Sequence, residues 1–355
     1  MPDLDAPAAA PPAPVPAPPT LRDAWPWAAP FRLTGWLERN GFTPGWTAFL
    51  AFVLAFLLFQ LVVAPLVIGI GIAIDVARSG QTEAPDMSVV LEQVQENGRL
   101  LMTANTAGQI VGFALFALLL ARLHSPEVRE YLRIRRPDLP ALGLAALGWA
   151  VLYPAVLWSG QINEQIPMPE WLRAMEQTQV DLLEGILLGD DLGVGFLFVA
   201  LALTPAVCEE LLFRGYLQRQ VERVGGAVWS IVLVGIFFGL YHLRLSQAIP
   251  LSLLGVYLGY VVWATGSLWA GVLVHLLNNG LAVVVASRAR VNPAFDPEAL
   301  EAMELPWYFG VAGLALAAAV CRALYLRRQS VVGDRPDALP AAPDAVPLSA
   351  TPLAS

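Results

Sequence analysis

The chain has 355 residues, of which 57% are hydrophobic and 14% charged, with a net charge of −8 and a pI near 5.0. An average soluble domain carries about 25% charged residues, so this composition suits lipid as the solvent. The acidic balance, without a basic surface interleaved with aromatics, excludes nucleic acid as a partner.

All 21 basic residues are Arg, which with abundant Ala, Gly and Pro suggests a GC-rich bacterial gene and hence a bacterial inner membrane. Residues 1–21 read as a disordered tail: eight prolines fall in the first twenty positions, with neither a basic nor an apolar signal-peptide region. The segment 22–192 reads as an N-terminal membrane region, 193–286 as a core, 287–328 as a last helix with its preceding loop, and 329–355 as a second Pro/Ala-rich tail.

Apolar runs near the roughly 20 residues a helix needs to span a bilayer predict eight membrane helices, over 46–74, 102–121, 141–158, 193–221, 228–243, 248–263, 268–286 and 307–326. The fold class is therefore all-α, a polytopic helix bundle. Pro65 and Pro205 are the expected kinks. Within 159–192 the apolar residues Trp171, Leu172, Leu182, Leu183 and Ile186 fit either an interfacial amphipathic helix or an ordinary loop.

Arg is concentrated in alternate loops, at Arg122, Arg129, Arg133, Arg135 and Arg136, at Arg219 and Arg223, and at Arg322, Arg327 and Arg328. Basic loops stay cytoplasmic, which places both termini there. The loop at 287–305, with Arg288 and Arg290, breaks the alternation.

Charged residues in a spanning helix cost about 2.5–3.5 kcal/mol each on insertion scales and usually serve function. The fourth predicted helix carries Glu209, Glu210 and Arg214 in apolar sequence. Glu210 and Arg214 are i, i+4 and share a face, whereas Glu209 points about 100° away. A desolvated carboxyl group without a partner is suited to general acid–base work. The fifth helix adds Phe238 one turn before His242, placed to pack on the imidazole, and the seventh adds His275 with Asn278 and Asn279 at i+3 and i+4.

Straight helices would set His242 about 21 Å deep and His275 about 10 Å deep, so their meeting requires tilt or shifted boundaries, with Gly235 and Gly239 permitting close packing. His124, in the basic loop, reads as a solvated residue. Cys208 and Cys321 lie in apolar runs and imply no disulfide; no local motif supplies Cys208 with a base.

Glu-Glu-x-x-x-Arg at Glu209, Glu210 and Arg214, then Phe-x-x-x-His at Phe238 and His242, then His-x-x-x-Asn at His275 and Asn279 resemble the motifs of the CAAX prenyl protease and bacteriocin-processing (CPBP, Abi) intramembrane proteases. The resemblance covers about 193–286. It implies a helical membrane fold that hydrolyses a peptide bond in a membrane-associated substrate. Glu209 would activate water with His242, His275 and Asn279 would stabilise the oxyanion, and Glu210 and Arg214 would hold the helix.

Two His and a Glu also form a familiar zinc set, so a metal on Glu209, His242 and His275 is a second form of the same expectation. The chain has no His-Glu-x-x-His, and metal-free hydrolysis is placed first. A transporter or proton relay, or a catalytically silent immunity or scaffold protein, are the rival readings.

Overall fold

The computed structural model describes residues 20–79 apart from 24 and 26, then 97–188, 192–292 and 304–333. The expected tails lie mostly outside these residues, as does most of the 287–305 loop. The described chain is a helical membrane bundle, as its composition predicts. Its helices are α1 (Trp36–Arg39), α2 (Pro44–Ser79), α3 (Gly98–His124), α4 (Val128–Tyr131), α5 (Leu139–Glu164), α6 (Glu170–Leu188), α7 (Val194–Tyr241), α8 (Leu245–Thr265), α9 (Leu268–Val291) and α10 (Trp307–Val332). Seven of them, α2, α3, α5 and α7 to α10, are long and apolar enough to cross a membrane.

The difference between seven such helices and the eight expected lies in α7. Its 48 residues would reach about 72 Å if straight, far more than a bilayer needs. Gly226, with φ 74° and ψ −175°, breaks it into two legs, 194–225 and 227–241. That conformation is essentially open only to glycine. The legs fold back on each other, since Phe213 and Phe238 meet at 5.2 Å and the Arg214 guanidinium lies 4.3 Å from the Phe238 ring. The fourth and fifth expected helices are thus the two legs of one hairpin.

Pro65 and Pro205 each follow a π-helical stretch, Leu58–Val63 and Val199–Leu203. A proline ring crowds the carbonyl four residues back and leaves it without a donor, and a widened turn accommodates both effects. The second leg of α7 lies against α8 at very short range. A Cβ on Gly235 would stand 2.5 Å from the Val256 nitrogen, and one on Gly239 would stand 2.3 Å from Ser252 Oγ. Small residues admit such helix contacts in lipid.

Lipid-facing positions remain apolar, among them Leu61, Leu66 and Val228, and aromatic residues such as Trp46, Trp229 and Trp307 stand near helix starts, as an interfacial belt requires. The segment 159–192 contains a true helix, α6, whose Ile186 packs with Leu192, Leu197 and Met102. Its Glu176 accepts the backbone N–H groups of Leu245 and Ser246 at 2.6 and 3.1 Å.

Two features were not expected. Thr20–Leu21 and Phe31–Arg32 pair as a two-residue antiparallel ladder. The hairpin that they close delivers Asp23 to one end of the bundle, where Arg219 holds it with two bonds of 2.7 and 3.0 Å. Arg135 reaches the same carboxylate at 2.6 Å and Arg133 at 3.5 Å, while Arg133 also pairs with Glu222.

His124 is the second, and here the reading as a solvated residue is overturned. It is fully buried, with Nδ1 2.7 Å from Glu38 Oε1, Nε2 2.9 Å from Tyr216 Oη, and its ring stacked on Tyr131. The loop is basic, but α1 and the N-terminal hairpin cover it.

Candidate active site

Glu209 and Glu210 stand on the first leg of α7, between the π-helical stretches Val199–Leu203 and Leu211–Leu217. The i, i+4 pair is formed: Arg214 Nη1 donates to Glu210 Oε1 at 2.7 Å, and both side chains are fully buried. Arg214 Nη2 also donates to the Gly255 carbonyl at 2.9 Å, and its guanidinium lies over Phe238. An isolated buried cation would be costly. Here a carboxylate, a carbonyl and an aromatic face share its neutralisation.

Glu210 does more than balance Arg214. Its Oε1 lies 3.0 Å from Nδ1 of His275, which α9 brings in 2% exposed. A carboxylate oxygen accepts, so Nδ1 carries the hydrogen and the ring orientation is fixed. Nε2 then faces Glu209, 3.9 Å from Oε2. This is too long for a direct hydrogen bond. Glu209 is 8% exposed, and its Oε2 is buried without a hydrogen-bond partner among the described residues. The result is a row, Arg214–Glu210–His275–Glu209, that ends on an unengaged carboxylate oxygen.

Phe238 packs on His242 as its spacing predicts, with ring centroids 5.0 Å apart, and on His275 at 5.7 Å. The depth difference between the two histidines is thus bridged by one phenyl ring set a turn above His242. His242 follows the last residue of α7, and its Nδ1–H donates to the Phe238 carbonyl at 2.8 Å, one of the carbonyls a helix end leaves unpaired. With Nδ1 engaged in this way, Nε2 is the ring nitrogen left to face the site. Leu243 turns the chain away with φ 52°, and Asn163 and Glu176 pin the segment beyond it at Leu245, Ser246 and Ile249.

Asn279 Nδ2 donates to the Leu201 carbonyl at 3.2 Å. That carbonyl is four residues before Pro205 and has lost its helical donor, so the amide repairs the break that proline makes beside Glu209. One N–H of Asn279 remains for other use. Asn278 donates to Asn279 Oδ1 at 3.2 Å and receives Trp149 Nε1–H at 3.4 Å. Cys208 is buried and has no histidine partner among the described residues.

The triad considered for a metal, Glu209, His242 and His275, does not assemble as ligands. Among the described residues no three His, Cys, Asp or Glu side chains gather in a way that could hold an ion. His275 Nδ1 is turned to Glu210, and both imidazoles rest on Phe238.

Tyr241 belongs to this site and was not singled out by sequence. Its ring sits among Phe52, Phe56, Phe113 and Phe213 at 5.1–5.5 Å. Its hydroxyl is buried with no hydrogen-bond partner among the described residues, and Phe213 links its ring to Phe238. The signal available was its position directly before His242.

Residues 192–281 match the sequence model of a family described as Rce1-like, type II CAAX prenyl endopeptidase Rce1-like. The match covers about a quarter of the chain and contains all three motifs, in agreement with the resemblance they carry. No curated protein and no solved structure matches the chain.

Proposed function

We propose that the chain is an intramembrane endopeptidase that cleaves a membrane-associated peptide by glutamate-activated water. The observation that carries this reading is Glu209 Oε2, a buried carboxylate oxygen left without a partner beside an imidazole that Glu210 holds in one orientation. A carboxylate whose partner is missing inside lipid costs several kcal/mol, and a water held for attack on a carbonyl would supply the missing bond.

In this reading a water bound to Glu209 attacks the scissile carbonyl carbon, and Glu209 takes its proton. His242, with Nε2 free to accept, assists. His275 donates through Nε2 to the oxyanion when that nitrogen carries a proton, with Glu210 holding the ring from its Nδ1 side. The second N–H of Asn279 and the Tyr241 hydroxyl are further donors to the same oxygen. The proton on Glu209 passes to the leaving nitrogen as the C–N bond breaks. Glu210 and Arg214 position His275 and do not touch substrate.

The alternating order of the donors and acceptors supports hydrolysis over a proton relay. A relay needs a chain of exchanging groups leading away from Glu209, whereas the row here ends on Arg214, which does not release protons at physiological pH.

The deciding experiment is terminal-peptide mass spectrometry of membranes from cells with wild-type protein, Glu209→Gln or no protein. New termini should appear with wild-type protein alone. Identical termini in all three would overturn the reading, as would pH-dependent flux in proteoliposomes without peptide products.

A further inference from the structure

The segment 125–138, between the spans α3 and α5, forms one wall of a cleft of about 630 Å³, and Trp27 of the N-terminal hairpin forms part of the other. Its lining is unusual in having cations to spare. Glu127 is taken by Arg32, which donates to it from Nε and Nη2 at 3.0 and 2.9 Å, and Glu130 is taken by Arg135 at 3.3 Å and the Ala29 N–H at 3.2 Å. Arg129 and Arg136 line the cleft, are exposed, and have no carboxylate partner among the described residues.

Arg135, also lining it, is only 6% exposed. Asp23 accepts from its Nη2 and the Glu130 carboxylate lies 3.3 Å from its Nε, yet neither Nε nor Nη1 has a hydrogen-bond partner among the described residues. A buried guanidinium N–H without a partner calls for an anion.

The anion has a stated chemistry. Arginine forks match phosphate oxygens in paired bonds, and the cleft combines three arginines with Trp27, 43% exposed, Val128 and Ile134. It lies where one span ends at His124 and the next begins at Leu139, itself 74% exposed. Basic pockets between spans at the membrane edge suit lipid headgroups, and an interfacial Trp suits the glycerol region.

We propose that this cleft binds a phosphate group, supplied by an anionic phospholipid headgroup: Arg129 and Arg136 clamp it, Arg135 Nη1 donates from within, and Trp27 covers the glycerol. The proposal is independent of the hydrolytic reading.

The test uses delipidated full-length protein in detergent, titrated with short-chain phosphatidylglycerol, with phosphatidylcholine or with inorganic phosphate, and read by native mass spectrometry. Phosphatidylglycerol is expected to bind at least tenfold more tightly than phosphatidylcholine. Arg129→Gln with Arg136→Gln, both exposed positions, should remove that preference with thermal unfolding unchanged. Arg122→Gln, an exposed arginine outside the cleft, should keep it. Trp27→Ala should weaken the lipid and leave inorganic phosphate as it was.

Binding of inorganic phosphate alone, lost in the double variant, would keep the phosphate site and overturn the lipid as its source. Equal binding by wild type and the double variant, or an equal loss in Arg122→Gln, would overturn the site itself.

Discussion

At the scale of single residues, four polar atoms at the site, Glu209 Oε2, Tyr241 Oη, Glu210 Oε2 and Arg214 Nε, are buried without a hydrogen-bond partner among the described residues. Such atoms cost stability in proportion to what they lack, so removing one that serves only function should cost no stability. Tyr241→Phe removes a buried hydroxyl without a protein partner; burial of such a group costs about 1–3 kcal/mol by mutational measures. The variant is expected to unfold at the same or a higher temperature than wild type, while cleavage of a verified substrate falls about tenfold. Unchanged cleavage would remove Tyr241 from the site.

Glu209→Gln keeps the shape and deletes the base. Cleavage should fall by about 10²–10⁴, the usual share of general acid–base catalysis, with unfolding little changed. Glu210→Gln should behave otherwise. It strips Arg214 of the carboxylate it pairs with and His275 of its orienting acceptor, so activity should fall together with stability, the latter by about 3–5 kcal/mol for a broken buried pair. Detergent thermal unfolding beside a cleavage assay distinguishes the two glutamates.

At the scale of elements, the site rests on how α7 is broken and repaired. Pro205, four residues before Glu209, frees the Leu201 carbonyl, and Asn279 of α9 supplies the missing donor, tying the two helices at the level of the site. Gly271, one turn before His275, lets the Glu210 carboxylate lie against α9, since a Cβ there would stand 2.7 Å from Oε2. Gly271→Ala should therefore displace Glu210, lower cleavage at least tenfold and destabilise by about 1–3 kcal/mol, the range for overpacking a filled core. A variant as active and as stable as wild type would refute that contact.

Much of this was legible in the sequence because helical spacing is local. The Glu210–Arg214 pair and the Phe238–His242 contact follow from four-residue spacing alone, and hydropathy marks the spans that carry them. What was not legible depends on contacts far apart in the chain. The burial of His124 requires Glu38 and Tyr216, 86 and 92 residues away, and the role of Glu210 toward His275 requires a partner 65 residues on. Tyr241 looked like one more aromatic in an apolar run until the rings around it defined where its hydroxyl lies.

At the scale of the whole molecule, one end of the bundle carries a buried charge cluster beside the apolar packing of Phe31 on Tyr131. Asp23, 196 residues from Arg219 in sequence, gathers Arg219, Arg133 and Arg135, and it anchors the N-terminal hairpin over the base of α7. Burial alone would raise the Asp23 carboxyl pKa, but the three arginines outweigh it and hold it well below the usual carboxylate range. A folded-state pKa below the unfolded value means stability that is present above the unfolded value and lost as pH falls through the folded one. This contribution is therefore complete at neutral pH and begins to decline only below about pH 3.9, the unperturbed value for Asp.

Asp23→Asn keeps the size of the side chain and leaves three buried guanidinium groups without their common counter-ion. It should cost about 3–5 kcal/mol at pH 7, as breaking one partner of a buried pair does. The gap between variant and wild type should stay constant from pH 8 to about pH 5 and narrow only in stronger acid, where wild-type Asp23 also becomes neutral. Thermal unfolding in detergent across that range reads both quantities. A gap that closes already near pH 6 would place the anchoring charge on another group, and no gap at pH 7 would mean that the hairpin is held by Trp25 and Phe31, both 1% exposed, and not by Asp23.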